Sequence, residues 1–269
     1  MNADNTRGKW KIELLGVRGS MAVTPKEYQE FGCDTLCVRI ETPDQVFFLD
    51  AGSGIMYGEA GAQNHVLVGH PHLDHLLGLC KWSALADPSK KMKIYMADHC
   101  GLSCSEILHK LYGPPFWPVS LEDVSKELEY VSVKGAFRVG NVTVDTLEGN
   151  HPGGVTHYRL SDGERCIVYA VDCELTEEAE GKLAAFAKDC DLLLIDGQLF
   201  DDEMEEKRGW GHSTMSEAAR LGELCHAKQT VLVHFDPSST DARLREEERK
   251  IKREHPNCTF GRQGEIRYL

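Results

Sequence analysis

A mixed α/β fold, with sheets covered by helices, is the class this sequence predicts, and three observations carry it. Short apolar runs recur along the chain with turn residues between them. The early runs come in hairpin-like pairs, whereas the later ones alternate with helical patterns. No internal repeat, low-complexity tract or Pro/Gly/Ser-rich linker interrupts the 269 residues, so a single domain over 1–269 is expected.

The first apolar run covers residues 10–17 and ends in Gly16-Val17-Arg18-Gly19-Ser20. Runs at 37–41 and 46–50 flank Thr42-Pro43-Asp44-Gln45, a hairpin turn by composition. Further strands are expected at 65–69, 92–96, 141–147, 156–160, 166–171, 191–195, 230–233 and 265–269. Helical spacing appears at 103–111. At 176–187, Thr176 reads as an N-cap followed by acidic residues in the first turn. Residues 213–226 open on Ser213-Thr214, and 241–253 form a charged surface helix.

Composition narrows the function. Hydrophobic residues at 41% and charged residues at 27% are ordinary globular values that supply a sizeable core. The net charge of −13, from 43 acidic against 30 basic residues, argues against a long polyanion as partner, because phosphate neutralisation by Lys and Arg supplies most of such affinity. The first ten residues lack the apolar run of a secretory signal, and no stretch reaches the about 18 apolar residues of a membrane span. A cytoplasmic location is therefore expected, where thiols stay reduced. The ten cysteines then read as small buried hydrophobes; Cys33/Cys37 and Cys100/Cys104, each spaced C-x3-C, could together hold a structural zinc, but neither spacing belongs to a firm zinc signature.

The decisive segment is Val66-Leu67-Val68-Gly69-His70-Pro71-His72-Leu73-Asp74-His75-Leu76-Leu77-Gly78-Leu79. A buried strand runs into a loop, and a helix is expected to begin near Asp74. In extended chain, residues i and i+2 point the same way, so His70 and His72 can grip one cation. The turn that follows places Asp74 and His75 at a neighbouring position. Imidazole nitrogen with a carboxylate suits zinc, and also manganese or iron. Isolated surface histidines are the competing reading, and three His with one Asp in six residues directly after an apolar strand make it a poor one.

Four more polar residues hold equivalent places. His151 follows the 141–147 run, Asp172 ends 167–171, Asp196 ends 192–195 and His234 ends 231–233. Polar groups at the ends of buried strands gather at one rim of a sheet, where sites are built. A lone strand-end His is more often a loop residue, but here the pattern recurs around a strong H-x-H-x-D-H segment.

His70-x-His72-x-Asp74-His75, with the later His151, Asp172 and His234, resembles the metallo-β-lactamase superfamily. Further blocks are similar to its branch of tRNA 3′-processing ribonucleases and cyclic-nucleotide or related phosphodiesterases: Gly16-Val17-Arg18-Gly19-Ser20, Phe31-Gly32-Cys33-Asp34-Thr35, Asp50-Ala51-Gly52-Ser53-Gly54, Asn150-His151-Pro152-Gly153-Gly154, Gly211-His212-Ser213 and His234-Phe235-Asp236-Pro237. The resemblance implies a four-layer αββα sandwich and a centre of two divalent metal ions, zinc first, with manganese or iron as alternatives. Carried over position by position, His70, His72 and His151 would hold one ion, Asp74, His75 and His234 the other, and Asp172 would bridge them. A hydroxide shared by the ions would attack the substrate, with Asp74 and His212 as the catalytic groups. His212 lies in the glycine-rich Gly209-Trp210-Gly211-His212-Ser213-Thr214, which opens onto a helix start; the plainer reading makes Ser213 or Thr214 a cap and His212 incidental. Asp50 would orient a ligand histidine, with a structural turn aspartate as the rival.

Departures from the family pattern bear on the substrate. The tRNA-processing enzymes carry a long arm between the ligands equivalent to His151 and Asp172, and here that interval is only 21 residues. A small phosphodiester, a cyclic nucleotide or a phosphocholine-like compound, is therefore the expected partner, with no long nucleic acid and no membrane. Self-association as a homodimer is left open. The alternatives are a thioester or lactone hydrolase, a tRNA 3′-processing endoribonuclease and a non-catalytic member of the superfamily. Residues 112–119, with Phe116 and Trp117 among prolines, read either as a wall over the metals for a base, sugar or choline-like group or as a hydrophobic plug.

Overall fold

The computed structural model of the protein describes residues 8–269. The expectation of no secretory signal falls on residues 1–10, of which 1–7 lie outside the described residues. The chain divides into two compact units assembled from separated stretches. One takes the chain up to residue 16, then 36–134 and 264–269; the other takes 17–35 and 135–263.

In chain order, the first unit contains β1 (Lys11–Gly16), β2 (Cys37–Glu41), β3 (Val46–Leu49), β4 (Gln63–Leu67), β5 (Lys91–Ala97), helices α1 (Cys104–Leu111) and α2 (Leu121–Val124), and β6 (Leu128–Val133). The second unit runs through β7 (Phe137–Val139), β8 (Val142–Gly149), β9 (Val155–Ser161), β10 (Cys166–Ala170), α3 (Glu177–Phe186), β11 (Leu192–Asp196), α4 (Met204–Lys207), α5 (Met215–Leu224), β12 (Thr230–Val233), α6 (Asp241–Glu254) and β13 (Cys258–Phe260). Finally β14 (Ile266–Tyr268) returns to the first unit.

Each unit is built on one seven-stranded mixed sheet, ordered β14-β1-β2-β3-β4-β5-β6 in the first and β13-β12-β11-β10-β9-β8-β7 in the second. In the first, β14 through β3 pair antiparallel and β3 through β6 parallel. The predicted 42–45 turn closes β2 onto β3, with the Thr42 amide donating to the Gln45 carbonyl at 2.9 Å. In the second, β10 through β13 are parallel and β7 through β10 antiparallel. Two antiparallel steps make β8 run the same way as β10. The C-terminal ends of β8, β10, β11 and β12 therefore share one rim of that sheet, and parallel β3 and β4 likewise share one rim of the first. β3, β10, β11 and β12 are buried along their whole length, which is why they read as unbroken apolar runs.

Helix starts follow local capping. Ser103 and Glu106 form a reciprocal capping box at α1, Thr214 and Glu217 do so at α5, and the Thr176 side chain accepts from the Ala179 amide at α3. One expectation is corrected. No α-helix begins near Asp74; Leu73–His75 is a single 3-10 turn. The backbone groups a helix would use are diverted, since the His75 carbonyl accepts from the Ala51 amide at 2.8 Å and the Gly78 amide donates to the Ala51 carbonyl at 3.0 Å. A Cβ on Gly78 would lie 2.0 Å from the Gly52 carbonyl oxygen, so only glycine permits this approach. All ten cysteines are free thiols, and among the described residues no cluster of metal-ligand geometry includes one.

Candidate functional site

The sequence-predicted ligands fall into two sets, one per unit. In the first, β3 ends in Asp50, whose left-handed φ of 57° turns its carboxylate back across the rim. Fully buried, Asp50 accepts the Gly69 amide through Oδ1 at 2.7 Å and meets His75 Nδ1 through Oδ2 at 2.7 Å. A carboxylate oxygen only accepts here, so Nδ1 carries the proton and Nε2 is the nitrogen left for coordination. That Nε2 lies 3.2 Å from Asp74 Oδ2. The His70 ring packs edge-on against His72 at 4.2 Å between centroids and lies tilted against His75 at 4.5 Å. His70, His72, Asp74 and His75 thus crowd into one loop anchored by Asp50.

In the second unit, Asp172 and His234 leave β10 and β12 with φ of 55° and 67°, a conformation L-residues adopt at a cost. Together with Asp196 and His212 they bring four ligand atoms within 4.8 Å of one another, all four residues being buried. His234 Nε2 lies 3.5 Å from Asp172 Oδ2, and His212 Nδ1 lies 3.5 Å from Asp172 Oδ1. His151 Nδ1 donates to the Gly211 carbonyl at 2.9 Å, which leaves its Nε2 toward Asp172 Oδ1 at 3.9 Å. Gly211 has φ of 86°, and a Cβ there would fall 2.2 Å from His151 Nδ1, so only glycine lets the loop support that ring.

Two carboxylates organise this set. Asp196 Oδ2 accepts from His212 Nδ1 at 3.0 Å and from the Asp172 amide at 3.0 Å, and lies 3.5 Å from His234 Nδ1. Burial would raise the Asp196 pKa, but the His212 and His234 imidazoles outweigh it and hold the carboxyl down at about 2. His151, by contrast, is lowered by burial, which favours the neutral, metal-ligating form. Glu174 is the second organiser. Its Oε2 accepts the Gly209 amide at 2.7 Å and the Gly211 amide at 3.2 Å, pinning the loop that supports His151 and carries His212. Strand-end position singled out Asp196 without a role; for Glu174 the sequence held no signal, because its partners are backbone amides about 35 residues away.

In the 209–214 loop Thr214 caps α5, Ser213 Oγ donates to the Cys173 carbonyl, and His212 is held on Asp196. Imidazoles whose Nδ1 protons are engaged, presented with buried carboxylates, form a donor set that fits a divalent transition metal ion such as zinc, manganese or iron.

Residues 57–235 match the family model for the β-lactamase superfamily domain. This chain belongs to the metallo-β-lactamase superfamily. It is similar to a ribonuclease Z from Halorubrum lacusprofundi, 25% identical, with 84% of this chain and 86% of that protein covered. Among solved structures it resembles the metallo-β-lactamase fold protein YhfI of Bacillus subtilis, with TM-score 0.77, 18% identity, and 97% of this chain and 100% of that one covered. It also resembles a diphosphatase of the PhnP family, with TM-score 0.70, 16% identity and 97% of each chain covered. The two mixed sheets are those of the metallo-β-lactamase fold. Membership makes the protein a metal-dependent hydrolase, with His/Asp clusters able to bind the metal. Among the described residues no helix is long and apolar enough to cross a membrane.

Proposed function

We propose that the protein hydrolyses small phosphodiesters at a dinuclear metal centre. His70, His72 and His151 serve one ion, Asp74, His75 and His234 the other, and Asp172 is shared. Zinc is the proposed metal. When bound, two such ions lower the pKa of water and polarise a phosphoryl oxygen. This chain's residues do the rest. Asp50 and the Gly211 carbonyl fix the tautomers of His75 and His151. Asp74 Oδ2 takes the proton of the attacking water. His212, its Nδ1 proton on Asp196, would act as the imidazolium, giving its Nε2 proton to a phosphoryl oxygen or to the leaving group.

The single observation that carries the substrate size is the β9–β10 hairpin. The interval from His151 to Asp172 is consumed by β9, the turn at 162–165 and β10, with Ser161 paired to Cys166, and no arm for gripping tRNA is inserted. The net charge of −13 supports the same conclusion. The proposed partner is a small molecule rather than a long nucleic acid or a membrane, and the proposed location is the cytoplasm. The ribonuclease Z relative supports tRNA 3′ processing as the second reading. Assay of the metal-loaded protein on bis(p-nitrophenyl) phosphate, a cyclic nucleotide, a thioester, a lactone and a precursor tRNA separates these. Turnover of the small diesters with negligible tRNA cleavage is expected; efficient tRNA cleavage at physiological salt, or turnover of the thioester or lactone alone, overturns the proposal.

A further inference from the structure

The first unit holds a cleft of about 560 Å³ that the chemistry above does not use. Two stretches supply most of its walls, with Cys80, His99, Cys100 and Leu102 adding to them. Pro71 and Leu73 belong to the ligand loop itself, alternating with His70, His72 and Asp74, and Leu77 follows them. His72 is extended, with φ −63° and ψ 150°, so neighbouring side chains diverge, Leu73 lining the cleft from a loop whose alternate residues are histidines. The opposite wall is α1 and the segment after it. Cys104 and Leu108 turn one face of α1 into the core, and Ile107 and Leu111, three or four residues away, line the cleft. Phe116 and Trp117 complete it.

The lining is apolar, yet much of it is open to solvent. Phe116 is 77% exposed, Leu73 55% and Leu77 45%. Phe116 therefore is not a core plug. Trp117 is half-buried, packed against the core cluster and under the Lys81 ammonium at 5.4 Å from its ring. Lys110 stands on the same wall as the one cationic side chain of the lining. A cleft of this size lies in the range that encloses small ligands, and large apolar side chains left exposed around it mark an interaction site. Its direct continuity with the ligand loop, and a lysine suited to an anionic phosphoester, favour a substrate group as occupant over a second protein.

We infer that this cleft binds an uncharged apolar substituent, an alkyl chain or aryl ring, on the substrate hydrolysed at the His70–His75 loop, so that the protein prefers apolar phosphodiesters. The inference rests on the proposed phosphodiesterase reading. Each buried methylene is worth about 0.8 kcal/mol, or about four-fold in binding. Phe116 and Leu73 are largely exposed, so replacing them leaves the core intact.

The test uses the metal-loaded full chain and p-nitrophenyl alkyl phosphates from methyl to octyl, which share one leaving group. In the wild type kcat/KM is expected to climb with chain length, the octyl ester exceeding the methyl ester at least ten-fold. In Leu73→Ser/Phe116→Ser the octyl-to-methyl ratio is expected to fall toward one. Calorimetric binding of octyl and methyl esters of methylphosphonic acid reads the cleft without turnover, with the same preference and the same loss expected. No turnover of any ester together with tighter octyl binding that the double variant abolishes sinks the phosphodiesterase reading and leaves the cleft standing. Equal affinity for both phosphonates, or a preference that survives the double variant, overturns the inference. So does a concentration-dependent dimer that the double variant dissociates without changing chain-length preference, since the cleft is then an interface between copies of the chain.

Discussion

The Asp196 carboxylate accepts a hydrogen bond from His212 Nδ1 at 3.0 Å while the same oxygen accepts the Asp172 amide. One buried carboxylate thus couples a strand-end candidate ligand, Asp172, to the loop histidine from a different part of the chain. The His212 ring is thereby oriented, and in the proposed mechanism its Nε2 faces the substrate. Asp196→Asn removes the charge and, with an amide nitrogen toward the ring, the acceptor as well. Activity and metal affinity are expected to fall by about 10–100-fold, the range for partners that orient metal-site histidines. Metal titration followed by kcat at saturating metal checks it; unchanged values in both would remove Asp196 from the site.

His212→Ala separates catalysis from coordination. Metal content is expected to persist while kcat falls by about 10²–10⁴-fold. Leaving groups distinguish the two proposed roles. A proton donor matters for a poor leaving group such as a ribose hydroxyl and little for p-nitrophenolate, whereas a donor to the phosphoryl oxygen matters for both. Cyclic-nucleotide and bis(p-nitrophenyl) phosphate rates, measured beside elemental analysis of the same samples, decide. Metal lost in step with activity would make His212 a ligand.

Asp172→Ala is expected to cost both ions, because a shared carboxylate serves each and screens their mutual repulsion. The wild type should carry close to two ions per chain, and chelation should abolish hydrolysis. Full occupancy in Asp172→Ala, by elemental analysis, contradicts the bridging role.

His157, which is not itself among the candidate ligands, supplies a pH prediction. Burial holds its imidazole neutral, with the pKa lowered to about 4, its Nε2 donating to the Val171 carbonyl at 3.2 Å. A histidine depressed in the fold binds its proton more readily when unfolded, so its contribution is complete above pH ~6.5 and is lost as pH falls toward about 4. That shift corresponds to about 3 kcal/mol across the window. Urea unfolding of the metal-free protein from pH 7.5 to 4 should show a steeper decline for wild type than for His157→Gln. Parallel curves would mean that His157 titrates normally in the fold.

The candidate site was legible in the sequence wherever a signal was local. The H-x-H-x-D-H segment needs only six residues to declare itself, and strands buried on both faces, such as β12 at Thr230–Val233, read as apolar runs because nothing polar is tolerated along them. The strands that stayed hidden are β6, β7 and β13. All three lie at sheet edges; β6 is mostly half-exposed, and β7 and β13 are three residues each, too short for a period to show. The helix expected at Asp74 failed for a tertiary reason, the Ala51 backbone capturing the hydrogen bonds it needed.

By itself, then, the sequence determined the mixed α/β class and the strand-end positions of the candidate ligand residues, because burial and period are properties of neighbouring residues. Only the tertiary structure decided that Asp196 and Glu174 organise the His212 loop and that Phe116 stands in an open cleft rather than in the core. Those relationships depend on strand order and on hydrogen bonds between backbone and side chains far apart in the chain, and no local pattern of residues encodes either.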